Sequence, residues 1–307
     1  MYIDAKKHNI LDGLIYNNSG HTSIIDKKNY KRYLSSKKMK YISALDPIII
    51  GGCPRSGTTL ARALIGSHPD IASAEQEYNI LMWIDKAEIL ERVLSFTTEE
   101  IKSLYSNAKD HIQLAENILS LYMKKNEKNK IALKHPYHIL IIDDLFHYFP
   151  NMKFIHLIRD GRDTVSSLRT HPKRKKVNGK IIPVKTNNPF DLCIRRWIVA
   201  LNLGKKWRKN KNYIEIKYED IVNKPVVELK KIFNFLKLTM IPKKELLNFY
   251  KHQNEDKHLQ NIEVGQPIYK KTTGRWKKDM TDEEKILFKE MAGEYLIEYG
   301  YEKDQSW

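Results

Sequence analysis

The chain has 307 residues, 41% of them hydrophobic and 10% aromatic, which suffices for one large packed α/β domain or two small ones. Lys and Arg number 54 against 37 Asp and Glu, a formal charge of +17 that attracts anions of any kind, but the excess is mostly lysine spread along the chain and selects no partner. Cys53 and Cys193 form no CxxC or Cys/His cluster, so no metal site is read. No run approaches the ~18 apolar residues of a membrane span, and the opening MYIDAKKHNILDGLIY lacks the apolar core of a secretory leader, so the expectation is a soluble cytoplasmic protein.

Residues 1–45 are polar, lysine-rich and without clear periodicity, and read as an N-terminal extension in which 30–40 is a candidate short basic helix. At Pro47 the character changes. Ile48, Ile49 and Ile50 followed by Gly51 and Gly52 predict a buried strand running into a turn. Leu60, Ala63 and Leu64 then recur at helical spacing, with His68 and Pro69 ending the helix. Residues 90–125 are polar and periodic and predict one or two helices. Ile131–Leu133 is a short strand and Tyr137–Tyr148 a helix. Lys153–Ile158 (KFIHLI) is a second buried strand, followed by a helix from about Thr164 to Leu168. Residues 172–189 read as a basic loop, 191–209 as a helix, 213–217 as a strand, 226–236 as a helix and 282–299 as the final helix. Strands alternating with helices predict one domain over 46–307: a P-loop-like, three-layer α/β fold with a mainly parallel central sheet flanked by helices.

Two segments carry chemistry. Gly52-Cys53-Pro54-Arg55-Ser56-Gly57-Thr58-Thr59 stands between a strand and a helix and matches the G-x-x-x-x-G-K-[ST] phosphate loop except that Thr58 replaces the lysine. Backbone N–H groups of such a turn, together with a helix N-terminus, form an anion site, to which Thr58 and Thr59 add hydroxyls. Its one cation is Arg55, whose guanidinium can grip a phosphate oxygen bidentately. That set suits a 5′-phosphate-type anion better than a magnesium-bound triphosphate. The second segment is Arg159 at the tip of KFIHLI with Ser167 eight residues on. Strand C-termini of open α/β sheets face the ligand crevice, so these two are candidates for a second phosphate.

PRSGTTL (54–60) followed by LIRDGRDTVSSL (157–168) resembles the two signatures of sulfotransferases that use 3′-phosphoadenosine 5′-phosphosulfate (PAPS). The resemblance implies a 5′-phosphosulfate loop in the first string and a 3′-phosphate site at Arg159 and Ser167 in the second. Tyr218-Glu219-Asp220 resembles a family string whose tyrosine lies near the adenine. Thr273-Gly274-Arg275-Trp276-Lys277 resembles the late Gly-x-Trp-Lys motif, and Lys270 and Lys271 fall where the family's loop closes on the 3′-phosphate. Where the family usually has Arg-Lys-Gly, this chain has Tyr269-Lys270-Lys271. HPDIASAEQE (68–77) is similar to the tyrosylprotein and bacterial carbohydrate-type branch. The activity implied is sulfuryl transfer from PAPS, with PAP as product and no metal, to a hydroxyl acceptor: glycan, lipid, small molecule or tyrosine.

Such a transfer needs a base for the attacking hydroxyl, positive charge for the leaving phosphate and an in-line arrangement. The resemblance favours Glu75 as base, with Glu77 as the fallback and His135 as a rival. Lys134 matches a lysine that contacts the transferring group. Asp143 and Asp144 mimic a magnesium-binding strand end but fall in a helical stretch, and Trp197, Trp207 and Tyr213 read as core. A P-loop nucleotide kinase or NTPase is the competing expectation, weakened by the missing lysine. A nucleic-acid-binding protein finds no supporting motif. The basic stretch 172–189 favours an anionic acceptor, anionic glycans included.

Overall fold

A computed structural model of the chain describes residues 40–74, 77–81, 87–171, 173–177, 180–184, 186–252, 267–268 and 272–307. Strand β1 (Ile48–Gly52) lies at the centre of a five-stranded sheet with β2 (Ile71–Ser73), β3 (Lys130–Lys134), β4 (Lys153–Ile158) and β7 (Tyr213–Lys217). The spatial order is β2-β3-β1-β4-β7 and every pairing is parallel. Alternate side chains of a strand point to opposite faces. Ile48 and Ile50 of β1, with Ile155 and Leu157 of β4, therefore enter one core, while Ile49, Phe154 and Ile158 enter the other. The first core is covered by α1 (Thr58–Ile65) and by α9 (Pro225–Leu236), which follows the short α8 (Tyr218–Asn223). The second is covered by α4 (His111–Lys125), α5 (Ile142–Tyr148), α7 (Phe190–Lys205) and α10 (Asp282–Glu298).

The chain leaves β1 toward β3 and returns to β4 on the other side of β1, so the order reverses between β1 and β4. The crevice beyond that reversal is where open parallel sheets bind ligands. The loop after β1 and the tip of β4 border it.

Several local expectations change. Residues 87–125 hold three helices: α2 (Ala87–Leu94), α3 (Thr98–Ser106) and α4. Caps set the breaks, since Thr97 and Glu100 form a reciprocal capping box and Asp110 accepts from the Ile112 and Gln113 N–H groups. A 3-10 turn, Pro136–Ile141, precedes α5 because Pro136 starts it and His135 caps it. The basic stretch is not all loop. β5 (Lys173–Val177) and β6 (Lys180–Val184) pair antiparallel as a separate hairpin between α6 (Gly161–Arg169) and α7. Residues 40–45 are tied to the body by the Lys40 and Tyr41 N–H groups donating to Asp110 and by Ser43 N–H donating to the Tyr148 carbonyl. The proposed helix over 30–40 lies outside the described residues but for Lys40.

Candidate active site

The glycine turn after β1 has its shape fixed by backbone. Arg55 sits at φ 74° and Gly57 at φ 95°, both left-handed, and Ser56 N–H closes on the Cys53 carbonyl at 3.1 Å. Gly57 is the N-cap of α1 and brings no side chain to cap it, so the positive helix end is open to an anion. A Cβ at Gly57 would lie 2.3 Å from the Tyr218 ring. Tyr218 thus backs the turn, and the Arg159 guanidinium lies 4.6 Å from the same ring's centroid.

Arg55 and Arg159 are brought together. Arg55 Nε donates to Ser167 Oγ at 3.0 Å, and Arg159 Nη1 donates to the Arg55 carbonyl at 3.1 Å. Arg159 Nη2 donates to the Thr272 carbonyl, while the Tyr218 hydroxyl and Thr272 Oγ1 share a hydrogen bond of 2.8 Å. Arg159 Nε is buried without a partner among the described residues. The N-terminal turn of α6 holds the 272–276 segment in place. Asp163 accepts the Gly274 N–H at 2.7 Å and the Trp276 N–H at 3.0 Å. Arg162, paired with Asp160 and Glu302, lies in the corner of the edge-to-face pair Trp276 and Trp307, 4.0 and 4.6 Å from their centroids. Lys270 and Lys271, the residues just before this segment, lie outside the described residues.

On the other side of the loop, β3 ends at Lys134. Tyr78 N–H donates to the Lys134 carbonyl at 3.3 Å, which lays residues 77–79 beside the strand end. Lys134 Nζ then meets Glu77 Oε1 at 2.6 Å and Thr59 Oγ1 at 3.1 Å. The ammonium that the loop lacks at Thr58 therefore arrives from a neighbouring strand. Burial pushes the Glu77 carboxyl up, but the Lys134 charge, the nearby His135, the Lys134 hydrogen bond and His138 together outweigh it and hold it at about 2, even though 42% of the side chain is exposed. Burial lowers the Lys134 ammonium, an effect Glu77 opposes. Burial likewise brings His135 down to about 4 and His138 to about 3, so both rings are neutral near pH 7. Glu75 lies outside the described residues.

These parts line one cavity of about 370 Å³. Arg55, Gly57, Thr58, Thr59, Arg159, Ser167 and Tyr218 border it from the loop side, and Glu77 and His135 from the β3 side. Glu77 is the one carboxylate among its described lining residues. Ser56 is buried in the turn with its amide in the loop. The lining also contains residues to which the sequence reading gave no role: Tyr137, His171, Asn188, Arg196 and Arg275. Arg275 lay within a quoted motif without a role. Arg196 stands on a helix whose periodicity signalled only packing. Asp163 and Thr272 were also missed, although Asp163 lies inside the quoted 157–168 string. Asp143 does not reach the cavity wall. It lies on α5 and accepts from Trp207 Nε1 at 2.9 Å. Trp197 and Tyr213 are buried in the core and Trp207 packs against it.

The fold is similar to that of solved sulfotransferases. The sulfotransferase domain of the Synechococcus PCC 7002 olefin synthase matches with a TM-score of 0.60 at 19% identity, over 82% of this chain and 96% of that one. Mouse sulfotransferase SULT7A1, solved in complex with PAP, matches with a TM-score of 0.56 at 16% identity, over 92% and 95%. In sequence, the Caenorhabditis elegans protein-tyrosine sulfotransferase A is 26% identical over 230 residues, 70% of this chain and 56% of that protein. Human protein-tyrosine sulfotransferase 1 is 27% identical over 183 residues, 54% and 44%. The chain thus spans about half the length of the curated relatives it matches. The profile of the sulfotransferase family covers residues 47–242, which include the glycine loop, β3, β4 and Tyr218, and on that match the chain belongs to the sulfotransferase family.

Proposed function

We propose that this chain moves a sulfuryl group from PAPS to a hydroxyl acceptor. The observation that carries the reading is the joining of Arg55 and Arg159, from the ends of two adjacent strands, around one cavity that Ser167, bonded to Arg55, also borders. Two fixed guanidinium groups and an open helix N-terminus suit a nucleotide with phosphate at both ends of its ribose. The buried Arg159 Nε, without a partner among the described residues, fits an incoming anion. Family membership and PAP in the SULT7A1 complex support the same donor.

The donor supplies the sulfuryl group: the acceptor oxygen bonds to sulfur as the sulfur–oxygen bond to the 5′-phosphate breaks, leaving PAP. The residues divide the work. Ser56 to Thr59 and Arg55 would hold the 5′ side, Arg159 and Ser167 the 3′-phosphate, with Lys270 and Lys271 assigned there by resemblance. Tyr218 braces the loop beside the nucleoside. Lys134 would neutralise charge growing on the leaving phosphate. A carboxylate takes the acceptor's proton. Glu75 has the resemblance in its favour; Glu77 has position, since it borders the cavity next to Lys134.

The acceptor we favour bears an anionic group near its hydroxyl. Arg196, Arg275 and His171 border the cavity, and no Asp or Glu occurs between Asp163 and Asp191. A tyrosine in an acidic peptide is the first acceptor to try, given the tyrosine-specific relatives, with an anionic glycan as the second.

The donor assignment is tested by thermal shift. PAP should raise the melting temperature of the wild type, and Arg55→Ala or Arg159→Ala should remove the gain. A shift with ATP plus magnesium and none with PAP would indicate a nucleotide kinase or NTPase instead. With labelled PAPS, Glu77→Gln should keep PAP binding and lose transfer. Loss in Glu75→Gln alone returns the base to Glu75.

A further inference from the structure

Consecutive residues at the end of β3 grip Glu77 from two directions. Lys134 Nζ is 2.6 Å from Oε1, and His135 Nε2 faces Oε2 at 3.8 Å. The two partners differ in freedom. His135 is pinned, because its Nδ1 accepts the Tyr137 backbone N–H at 3.2 Å. A neutral imidazole that accepts on Nδ1 carries its proton on Nε2. The ring therefore presents an N–H to Glu77 and has no lone pair left for an acceptor's proton. Lys134 is poised between two attractions. Its ammonium also touches Thr59 Oγ1 at 3.1 Å, in the first turn of the helix that opens the anion loop. Arg55 and Arg62 stand near enough to oppose its charge, and Glu77 balances it.

We infer that Lys134 is a detachable partner of Glu77: an anion on the loop draws the ammonium off the carboxylate and leaves Glu77 with His135, so the base gains strength only when the donor site is filled. The inference rests on the donor reading above. With Lys134 in place the carboxylate is neutralised and competes poorly for a proton. Once Lys134 turns to the phosphate oxygens, the carboxylate regains proton affinity and takes the hydroxyl proton as that oxygen bonds to sulfur. His135 keeps it aimed, which makes His135 a positioning residue.

The test is a double-mutant cycle on PAP affinity, by calorimetry at fixed salt, in wild type, E77Q, K134M and E77Q/K134M. Detachment predicts that E77Q tightens PAP binding by roughly tenfold when Lys134 is present, the order of one charge-assisted hydrogen bond no longer broken on binding, and changes little in K134M. Equal tightening in both backgrounds is plain charge removal and overturns the inference, as does no tightening at all. Should K134M not fold, a structure of the wild type with PAP decides. Lys134 Nζ on the 5′-phosphate and more than 4 Å from Glu77 supports detachment; an intact pair beside bound PAP overturns it. For His135 the readout is the pH profile of kcat. H135Q should lower kcat and leave the limbs where they were; a limb lost from the histidine range makes His135 the base. A wild type that does not bind PAP sinks the donor assignment itself, a different failure.

Discussion

Gly57 combines two demands that no other residue type meets together. Its φ of 95° is costly for any side chain, and a Cβ would collide with the Tyr218 ring at 2.3 Å. Gly57→Ala should therefore cost about 1–3 kcal/mol in stability and weaken PAP binding, read by thermal melts and calorimetry. Adding Tyr218→Ala should return part of the stability, because it removes the collision but not the backbone strain. A double variant no more stable than Gly57→Ala would show that the ring is not what Gly57 accommodates. This position was legible in sequence, since Gly-x-x-x-x-Gly between a β-branched run and a helix has few other meanings. Glu77 was only half legible. Counting along Ala74-Glu75-Gln76-Glu77 cannot say which carboxylate turns inward; the Tyr78 N–H bond to the Lys134 carbonyl is what lays Glu77 beside the β3 end, and that is a long-range contact.

Helix α6 acts as a bracket between two distant parts of the chain. It follows the Arg159 strand tip, carries Ser167 toward Arg55, and its Asp163 accepts two amides from 274–276. Burial pushes the Asp163 carboxyl up, and the two amides counter it. Asp163→Asn removes one acceptor and should loosen the segment by about 1–3 kcal/mol. Hydrogen exchange should quicken at Gly274 and Trp276 while β1 amides keep their protection, and PAP affinity should fall as Arg159 loses its Thr272 anchor. Unchanged exchange at those two amides would remove the bracket role. The ends of this bracket were quoted as strings, yet their contact was not legible, because more than a hundred residues separate Asp163 from Gly274. Shorter elements escaped for other reasons. β2 has three residues, too few for a period, and the hairpin's first strand is almost all Lys and Arg, residues that rarely announce a strand. Asn178-Gly179, standing in sequence between β5 and β6, was the overlooked signal.

Among the described residues, burial lowers three histidines far enough to keep them neutral: His135 at about 4, and His138 and His156 at about 3, against an ordinary 6.5. His156 pairs with the Tyr213 hydroxyl at 2.6 Å inside the core. A lowered folded value means the unfolded chain binds protons first, so stability is full above about 6.5 and is lost as pH falls. One unit below that value each ring costs on the order of 1 kcal/mol, and the three together a few. Melting temperature should thus drop between pH 7 and 5.5, before most carboxylates titrate, and His156→Gln should flatten the slope. A flat profile in the wild type would mean that these rings are hydrated or charged in the folded state. The sheet order itself was partly legible: Ile-rich runs with helices between them dictate parallel pairing, but nothing local places β1 at the centre.

The β5–β6 hairpin lies outside the main sheet, and its base is pinned where it leaves the body. Asn188 donates its backbone N–H to the Arg169 carbonyl and its side-chain amide to the Leu168 carbonyl, at 2.9 and 2.8 Å, and His171 and Asn188 both border the cavity. The span between those two posts is therefore an interchangeable cassette. Its length and charge can be rewritten by evolution, or by grafting, with the five parallel strands and both arginines left as they are.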